Sequence, residues 1–131
     1  MQVNVEITSK QIFKDHEEGE SHKCLGKINY HNNGTVLEFT EKYEEQELKF
    51  KITILEEKVI TDRNGQTMIF DLKNKNYSKL VTPYGDINIE VTTKKIQISK
   101  YDNIIEKIYL EYEIKLENSE KYNNIVEINI N

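Results

Sequence analysis

The chain has 131 residues, which suits one domain with a real hydrophobic core, and we expect a single β-barrel domain over residues 1–131. The formal net charge of −5 comes from 23 acidic and 18 basic residues, and Arg63 is the one arginine. Nucleic-acid binding needs a concentrated basic stripe, so the composition argues against a nucleic-acid partner. The chain contains 18 Ile, 7 Val and no alanine, which favours β-strands over helices.

The cysteine count and the N-terminus bear on localisation. Cys24 is the one cysteine, so no internal disulfide forms, which favours a reducing, cytoplasmic compartment. Residues 1–7 alternate apolar and polar side chains and predict a strand rather than a signal peptide. No apolar run approaches the roughly 20 residues that span a membrane, so we expect no membrane partner.

The first third of the chain alternates with a period of two. Val3, Val5 and Ile7 share one face and predict a strand over residues 2–8. The charged segment 14–20 predicts a connection, after which the alternation resumes from Ser21 to Tyr30. Gly26 falls on the apolar face of that strand and predicts a bend or bulge.

Hairpin turns separate the next strands. Residues 31–34, His-Asn-Asn-Gly, predict a tight turn, and Leu37 and Phe39 then continue an apolar face towards Glu41 and Tyr43. Residues 48–54 form the clearest alternation in the chain. Asn64 and Gly65 form the dipeptide most typical of a two-residue hairpin turn.

The only proline marks a further turn, at Thr82-Pro83-Tyr84-Gly85. Pro83 fixes its own φ and favours extended geometry at Thr82, so we expect a type I turn with Gly85 at its last position. Asn64, Gly65, Pro83 and Gly85 are therefore predicted to be structural turn residues.

The segment 103–117 fits a helical stripe and a strand. Five apolar residues at consecutive alternate positions, from Ile108 to Leu116, favour the strand. Residues 118–121 then predict a turn, and Val126, Ile128 and Ile130 predict the last strand.

About eight to ten short strands without a crossover helix predict an all-β fold, an antiparallel up-and-down meander. Because one face of most strands is apolar and the other charged, the sheet must bury itself, by closing into a barrel or by folding into a sandwich.

Several elements together carry a resemblance to a known family. They are Gly19-Glu20, Gly26, Arg63-Asn64-Gly65 ahead of Met68 and Phe70, and Thr82-Pro83-Tyr84-Gly85 with Thr92 one strand later. This order resembles the YwiB-like family of small bacterial proteins of unknown function. The resemblance implies a calycin-type (lipocalin-like) β-barrel and a cytosolic bacterial setting. It implies no established activity and supplies no catalytic residues.

Two segments that contain histidine are candidate sites of chemistry. His16 lies among Asp15, Glu17, Glu18 and Glu20, which is typical of a metal site or of a solvated acidic loop. The spacing matches no ligand motif and favours the loop. His22 and Cys24 share a strand face but lack a third and fourth ligand, so we expect a partly buried histidine beside a core cysteine. We predict no metal, no cofactor and no catalytic residue.

Three residues are candidates for ligand binding at the barrel mouth. Arg63 is in phase with Val59 and Thr61, so it either clamps an anion at the barrel end or pairs with a glutamate to hold its hairpin. Thr82 and Tyr84 either rim the mouth, or Tyr84 closes the end of the core.

The predicted inward faces carry almost only Ile, Leu, Val, Phe and Tyr, with Arg63 at the rim as the one charge in phase. Any ligand must then be largely apolar. We predict a non-catalytic barrel that binds a small apolar ligand in or at its mouth. The alternative is a protein-interaction or homodimerisation module with a fully packed barrel.

Overall fold

The computed structural model describes residues 1–117 and 119–131, and the side chains of all of these except Tyr43. Ten strands follow one another along the described chain: β1 Gln2–Ile12, β2 Glu17–His31, β3 Gly34–Tyr43, β4 Gln46–Ile54, β5 Lys58–Arg63, β6 Gln66–Asp71, β7 Asn76–Thr82, β8 Gly85–Tyr101, β9 Ile104–Leu116 and β10 Lys121–Ile130.

Strand β9 resolves the choice between helix and strand. Ile108, Leu110, Tyr112 and Ile114 are buried at alternate positions, and the whole segment pairs with strands on both sides. A period of two places these side chains on one face, which a helix would not do. The strand prediction is confirmed. Of the predicted turn at 118–121, Asn118 lies outside the described residues, and β10 begins at Lys121.

All ten strands belong to one antiparallel sheet, ordered β6-β5-β4-β3-β2-β1-β10-β9-β8-β7. Consecutive strands other than β6 and β7 pair as hairpins, and β10 pairs with β1 from Val5 opposite Ile130 to Ile12 opposite Asn123. The prediction of an all-β antiparallel barrel is confirmed. Its up-and-down path puts residues 13–16, 44–45, 64–65, 83–84, 117 and 119–120, which connect strands, at one end, which we call the mouth.

The barrel is nearly closed, with a seam between β6 and β7. These strands are the two ends of the sheet order, and no backbone ladder joins them in the described residues. The hydroxyl of Ser78 on β7 instead donates a hydrogen bond of 2.8 Å to the carbonyl oxygen of Thr67 on β6. One side-chain bond therefore bridges two strand edges that would otherwise be open.

The apolar core is most deeply buried in the half of the barrel away from the mouth, and it extends towards the mouth through Ile89 and Ile114. Its most deeply buried large side chains are Ile28, Leu37, Ile105 and Ile108, none more than 1% exposed. Tyr30 supports this end, because its hydroxyl oxygen accepts a hydrogen bond of 2.9 Å from the Ile105 backbone N–H. The apolar alternation of the sequence therefore produces its deepest burial in this half of the barrel.

Two local predictions on β1 and β2 are wrong. The segment 14–20 is not all connection, because β2 already begins at Glu17, opposite Ile12. The backbone ladder carries these charged side chains beyond the core. Gly26 makes no bulge, since its pairing is in register with Val3 and Phe39. A Cβ at Gly26 would lie 2.8 Å from the Glu38 carbonyl oxygen, so glycine is needed there for close packing.

Candidate functional site

Arg63 lies at the mouth, at the end of β5, and is exposed. Its guanidinium carbon lies 5.1 Å from the centre of the Phe50 ring, a cation–π arrangement. Phe50 in turn stacks on Phe39, with 4.9 Å between ring centres. Arg63 forms no ion pair with a glutamate in the part of the chain that the structure describes. The aromatic ring holds it instead.

Thr82 and Tyr84 also lie at the mouth, in the turn between β7 and β8. The Thr82 hydroxyl donates a hydrogen bond of 2.6 Å to the Gly85 carbonyl oxygen, and its oxygen accepts one of 3.2 Å from the Tyr84 N–H. The Tyr84 side chain is fully exposed, so it does not close the end of the core. The Thr82 hydroxyl is engaged in holding the turn around Pro83.

The Asn64-Gly65 turn anchors the hairpin of β5 and β6. Both residues have positive φ, 51° and 86°, as the mirror-image turns of two-residue hairpins require. The Gly65 N–H donates a 2.8 Å hydrogen bond to Asp62, and the Lys49 N–H donates one of 3.1 Å to the Asn64 side-chain oxygen. The predicted hairpin is present and sets the position of Arg63.

A stack of three rings borders another side of the mouth. Phe13 stacks between His16, at 4.6 Å, and Tyr122, at 5.0 Å. His16 Nδ1 lies 2.6 Å from Asp15, and this hydrogen bond raises the pKa of His16 and lowers the pKa of Asp15. The stack lines a cavity of about 580 Å³ together with Lys14, Leu116, Ser119, Glu120 and Lys121.

His22 and Cys24 remain apart from the residues around His16. The Nε2 of His22 lies 3.3 Å from a Glu20 carboxylate oxygen. Burial, and then the nearby Glu41 carboxylate, raise the pKa of the Cys24 thiol, which makes it a poor nucleophile. Among the described residues, no three His, Cys, Asp or Glu side chains come together in a way that could hold a metal ion.

A row of polar side chains crosses four neighbouring strands inside the barrel. Gln11 on β1 lies opposite Asn124 on β10, Asn124 lies opposite Tyr112 on β9, and Tyr112 lies opposite Thr93 on β8. We call Gln11, Asn124, Tyr112 and Thr93 the polar row. It starts near the mouth, since Gln11 is the penultimate residue of β1, and continues into the interior.

Two members of the polar row carry polar atoms without partners. Asn124 and Thr93 are only 5% and 8% exposed, and neither the Asn124 side-chain nitrogen nor the Thr93 hydroxyl has a hydrogen bond. They flank Tyr112, whose phenol pKa is strongly raised by burial and whose ring lies 4.5 Å from that of Phe70. Leaving such a group unpaired costs about 1–3 kcal/mol, and no group in the described part of the protein pairs with either of these two.

A β-bulge adjoins the polar row. The register of β8 against β9 shifts between Thr93 and Lys95, which leaves Lys94 as an extra residue. Its ammonium group turns outwards and donates a 3.0 Å hydrogen bond to Asn123. Bulges re-aim neighbouring side chains and are frequent beside functional sites.

The interior also holds a carboxylate, which corrects the expectation that Arg63 is the one charge in phase. Glu41 is 8% exposed and shares a face of β3 with Leu37 and Phe39. Its ladder partner is Leu48. Leu48 and Arg63 line a mouth cavity of about 700 Å³ together with Glu44, Glu45 and Gln46.

Sequence reasoning missed Thr93 and Asn124, although a signal for both was present. Asn124 is two residues before Val126 in the alternation Val126, Ile128 and Ile130, which places it on the inward face. Thr93 is two residues after Val91 in the alternation Ile87, Ile89 and Val91, and the bulge breaks this alternation only after Thr93. The predicted site residues Arg63, Thr82 and Tyr84 all lie at the mouth, but Thr82 and Tyr84 do not line the Arg63 cavity.

Ten antiparallel strands, wrapped in one up-and-down sheet around an apolar core, define a lipocalin-like barrel. Within that class, the chain belongs to the family described as "Domain of unknown function (DUF1934)", which matches residues 5–128. The predicted YwiB-like family is confirmed.

The chain is similar in fold to the crystal structure of the YwiB protein from Bacillus subtilis. The TM-score is 0.74 at 17% identity, over 98% of this chain and 90% of that one. No curated protein matches the sequence. No helix in residues 1–117 and 119–131 is long and apolar enough to cross a membrane.

Proposed function

We propose that this protein is a non-catalytic small-molecule-binding barrel, which takes a largely apolar ligand with one polar group through its mouth. The observation that carries the proposal is the pair of unpartnered, buried polar atoms on Thr93 and Asn124. Binding sites of this kind combine an apolar wall with a few well-placed polar groups. The single cysteine and the YwiB relative support a role in a reducing bacterial cytoplasm.

The spacing in the polar row indicates how a ligand would be held. Thr93 and Asn124 lie on β8 and β10, two strand spacings apart, so roughly 10 Å separates their backbones. Tyr112 lies between them and presents an aromatic surface. A ligand group that both accepts from the Asn124 amide and bonds to the Thr93 hydroxyl would supply the hydrogen bonds that these two groups do not make within the described part of the protein.

Octanol is a suitable probe, because it joins a flexible apolar chain to one neutral hydroxyl. Isothermal titration calorimetry should detect octanol binding to the wild-type protein. Thr93→Val keeps the shape of the side chain and removes its hydroxyl, and Asn124→Leu removes the amide. Each variant should weaken octanol binding by about fivefold, the equivalent of one hydrogen bond.

Thr92→Val is the matched control, since Thr92 lies one residue away on the outer face of the same strand. It should bind octanol as the wild type does. Absence of any octanol binding to the wild type, or equal binding by all three variants, would contradict the proposal.

A second candidate function, homodimerisation, is favoured by the outer face of the edge strand β7. Tyr77 and Val81 point outwards four residues apart and are 76% and 72% exposed. If the β7 faces of two copies of this chain came together, the Tyr77 and Val81 side chains of both copies would be buried. Light scattering after size-exclusion chromatography tests this: a dimer that Tyr77→Ser with Val81→Ser converts to a monomer supports it, and a wild-type monomer rejects it.

A further inference from the structure

Glu41 is an unusual residue for the inside of a barrel. Only 8% of it is exposed, whereas Glu38, on the other face of the same strand, is exposed. The alternation of β3 puts Glu41 on the same face as Leu37 and Phe39, two core residues. A carboxylate has therefore been placed where the pattern of the strand calls for an apolar side chain.

No counter-charge accompanies this carboxylate. In the described part of the chain, Glu41 forms no hydrogen bond or ion pair with another residue. The Glu41 carboxylate is near enough to the Cys24 thiol to help raise the pKa of that thiol, and a thiol is not a cation. Arg63 lies over the Phe50 ring, and Lys42 is exposed on the opposite face of β3. Burying an uncompensated charge is costly, and proteins normally supply a partner.

The position of Glu41 gives a ligand access to it. Leu48, its partner across the β3–β4 ladder, lines the mouth cavity of about 700 Å³. The ladder continues for only two more pairs, to Tyr43 opposite Gln46, before the turn at Glu44. Glu41 is therefore the ladder neighbour of a residue that lines a cavity open to the outside.

The charges on the turns at the mouth favour a positively charged ligand. The described turn residues at this end hold five carboxylates, those of Asp15, Glu44, Glu45, Glu117 and Glu120, against Lys14. Two further cations, Arg63 and Lys121, line the mouth cavities from the adjoining strand ends. An excess of charges of one sign around a cleft raises the local concentration of oppositely charged molecules and speeds their entry.

We propose that the ligand is a cationic amphiphile, a protonated amine with an apolar body, whose ammonium group pairs with the Glu41 carboxylate. This inference rests on the proposed function and adds a second polar group to its ligand. An ammonium has no atom that could accept from the Asn124 amide, so the neutral group at the polar row is separate from the ammonium at Glu41. The ammonium group supplies the missing counter-charge, and the apolar body packs on the aromatic and aliphatic side chains of the barrel.

Three probes with the same eight-carbon chain test the inference: octylammonium, octanol and octanoate. Calorimetry on the wild-type protein should show octylammonium binding about tenfold more tightly than octanol, and octanoate more weakly than both. Glu41→Gln keeps the side-chain shape and removes the charge, so it should abolish the advantage of octylammonium over octanol. Glu38→Gln, on the outer face of the same strand, is the matched control and should retain that advantage.

The outcomes separate this inference from the proposed function. If octanol binds but octylammonium gains nothing over it, or if Glu41→Gln leaves the gain intact, the cationic ligand is wrong while the binding barrel survives. If none of the three probes binds, both fall together. The comparison of probes on the wild-type protein decides the matter even where Glu41→Gln fails to fold.

Discussion

The hydroxyl of Ser78 donates a 2.8 Å hydrogen bond to the carbonyl oxygen of Thr67, and this bond joins the two edges of the barrel at its seam. The other neighbouring strands are held by backbone ladders. The seam is therefore expected to be the most easily opened part of the wall.

Removing that bond should loosen the seam. Ser78→Ala should lower the free energy of unfolding by about 1 kcal/mol, because it deletes one neutral hydrogen bond. Amide hydrogen exchange should quicken in β6 and β7 more than in β1 and β10. Ser99→Ala, at an exposed position of β8, is the control and should change neither quantity. Uniform exchange rates across all strands would show that Ser78 does not hold the seam.

The Thr93 hydroxyl should strengthen ligand binding without stabilising the fold. In the ligand-free protein its hydroxyl is buried without a partner, so Thr93→Val should raise the free energy of unfolding, by about 1 kcal/mol. Thr92→Val should leave it nearly unchanged. Urea denaturation of the two variants measures the difference. A marked loss of stability in Thr93→Val would mean that the hydroxyl has a structural partner.

Glu41 is also a buried polar side chain without a partner among the described residues, and unlike Thr93 it carries a full charge. Glu41→Gln removes an uncompensated carboxylate from a site that is 8% exposed, and it should raise the free energy of unfolding by about 1 kcal/mol or more. Thermal unfolding at neutral pH and low salt provides the measurement, with Glu38→Gln as the control. A destabilised Glu41→Gln would reveal a favourable contact of the carboxylate.

The Asp15–His16 pair predicts a defined dependence on pH. Its hydrogen bond raises the pKa of His16, so that group stabilises the fold at low pH and loses its effect as pH rises through the raised pKa. The pKa of Asp15 is lowered, so its effect is lost as pH falls through that value. The pair therefore stabilises the fold at pH values between the lowered pKa of Asp15 and the raised pKa of His16.

An NMR titration of the His16 ring checks this directly. The pKa of His16 should lie above the ordinary histidine value in the wild type and should fall in Asp15→Asn. Because Asp15 and His16 are solvent-exposed, the effect should also shrink in high salt. An unchanged pKa in Asp15→Asn would show that Asp15 is not the cause.

The sequence predicts the barrel well because the alternation of apolar residues is strong where the core is deepest. Ile108 to Ile114 and Leu48 to Ile54 specify their strands almost alone, and Asn64-Gly65 specifies its hairpin. The chemical character of the mouth was harder to predict. Glu17 to Glu20 extend β2 through backbone pairing, which no side-chain pattern reports.

The candidate site lies where that pattern stops. Glu41, Thr93 and Asn124 are polar residues at buried positions in the alternation of β3, β8 and β10. Each departs from the rule that buried positions are apolar. Residues that do not fit the local sequence pattern are expected at functional positions. They lower the stability of the fold, and the rest of the protein compensates for this loss. The ladder registers are needed to recognise Thr93 and Asn124 as parts of one site, because they place the two residues on either side of Tyr112.

The central claim is that the barrel interior receives a ligand at the polar row, and the side-chain amide of Asn124 reports on it directly. In nitrogen–proton correlation NMR spectra, titration with octanol should shift the Asn124 side-chain NH₂ signals, while those of Asn123, which faces outwards, stay in place. Unmoved Asn124 signals at saturating octanol, or equal shifts at both asparagines, would contradict the account.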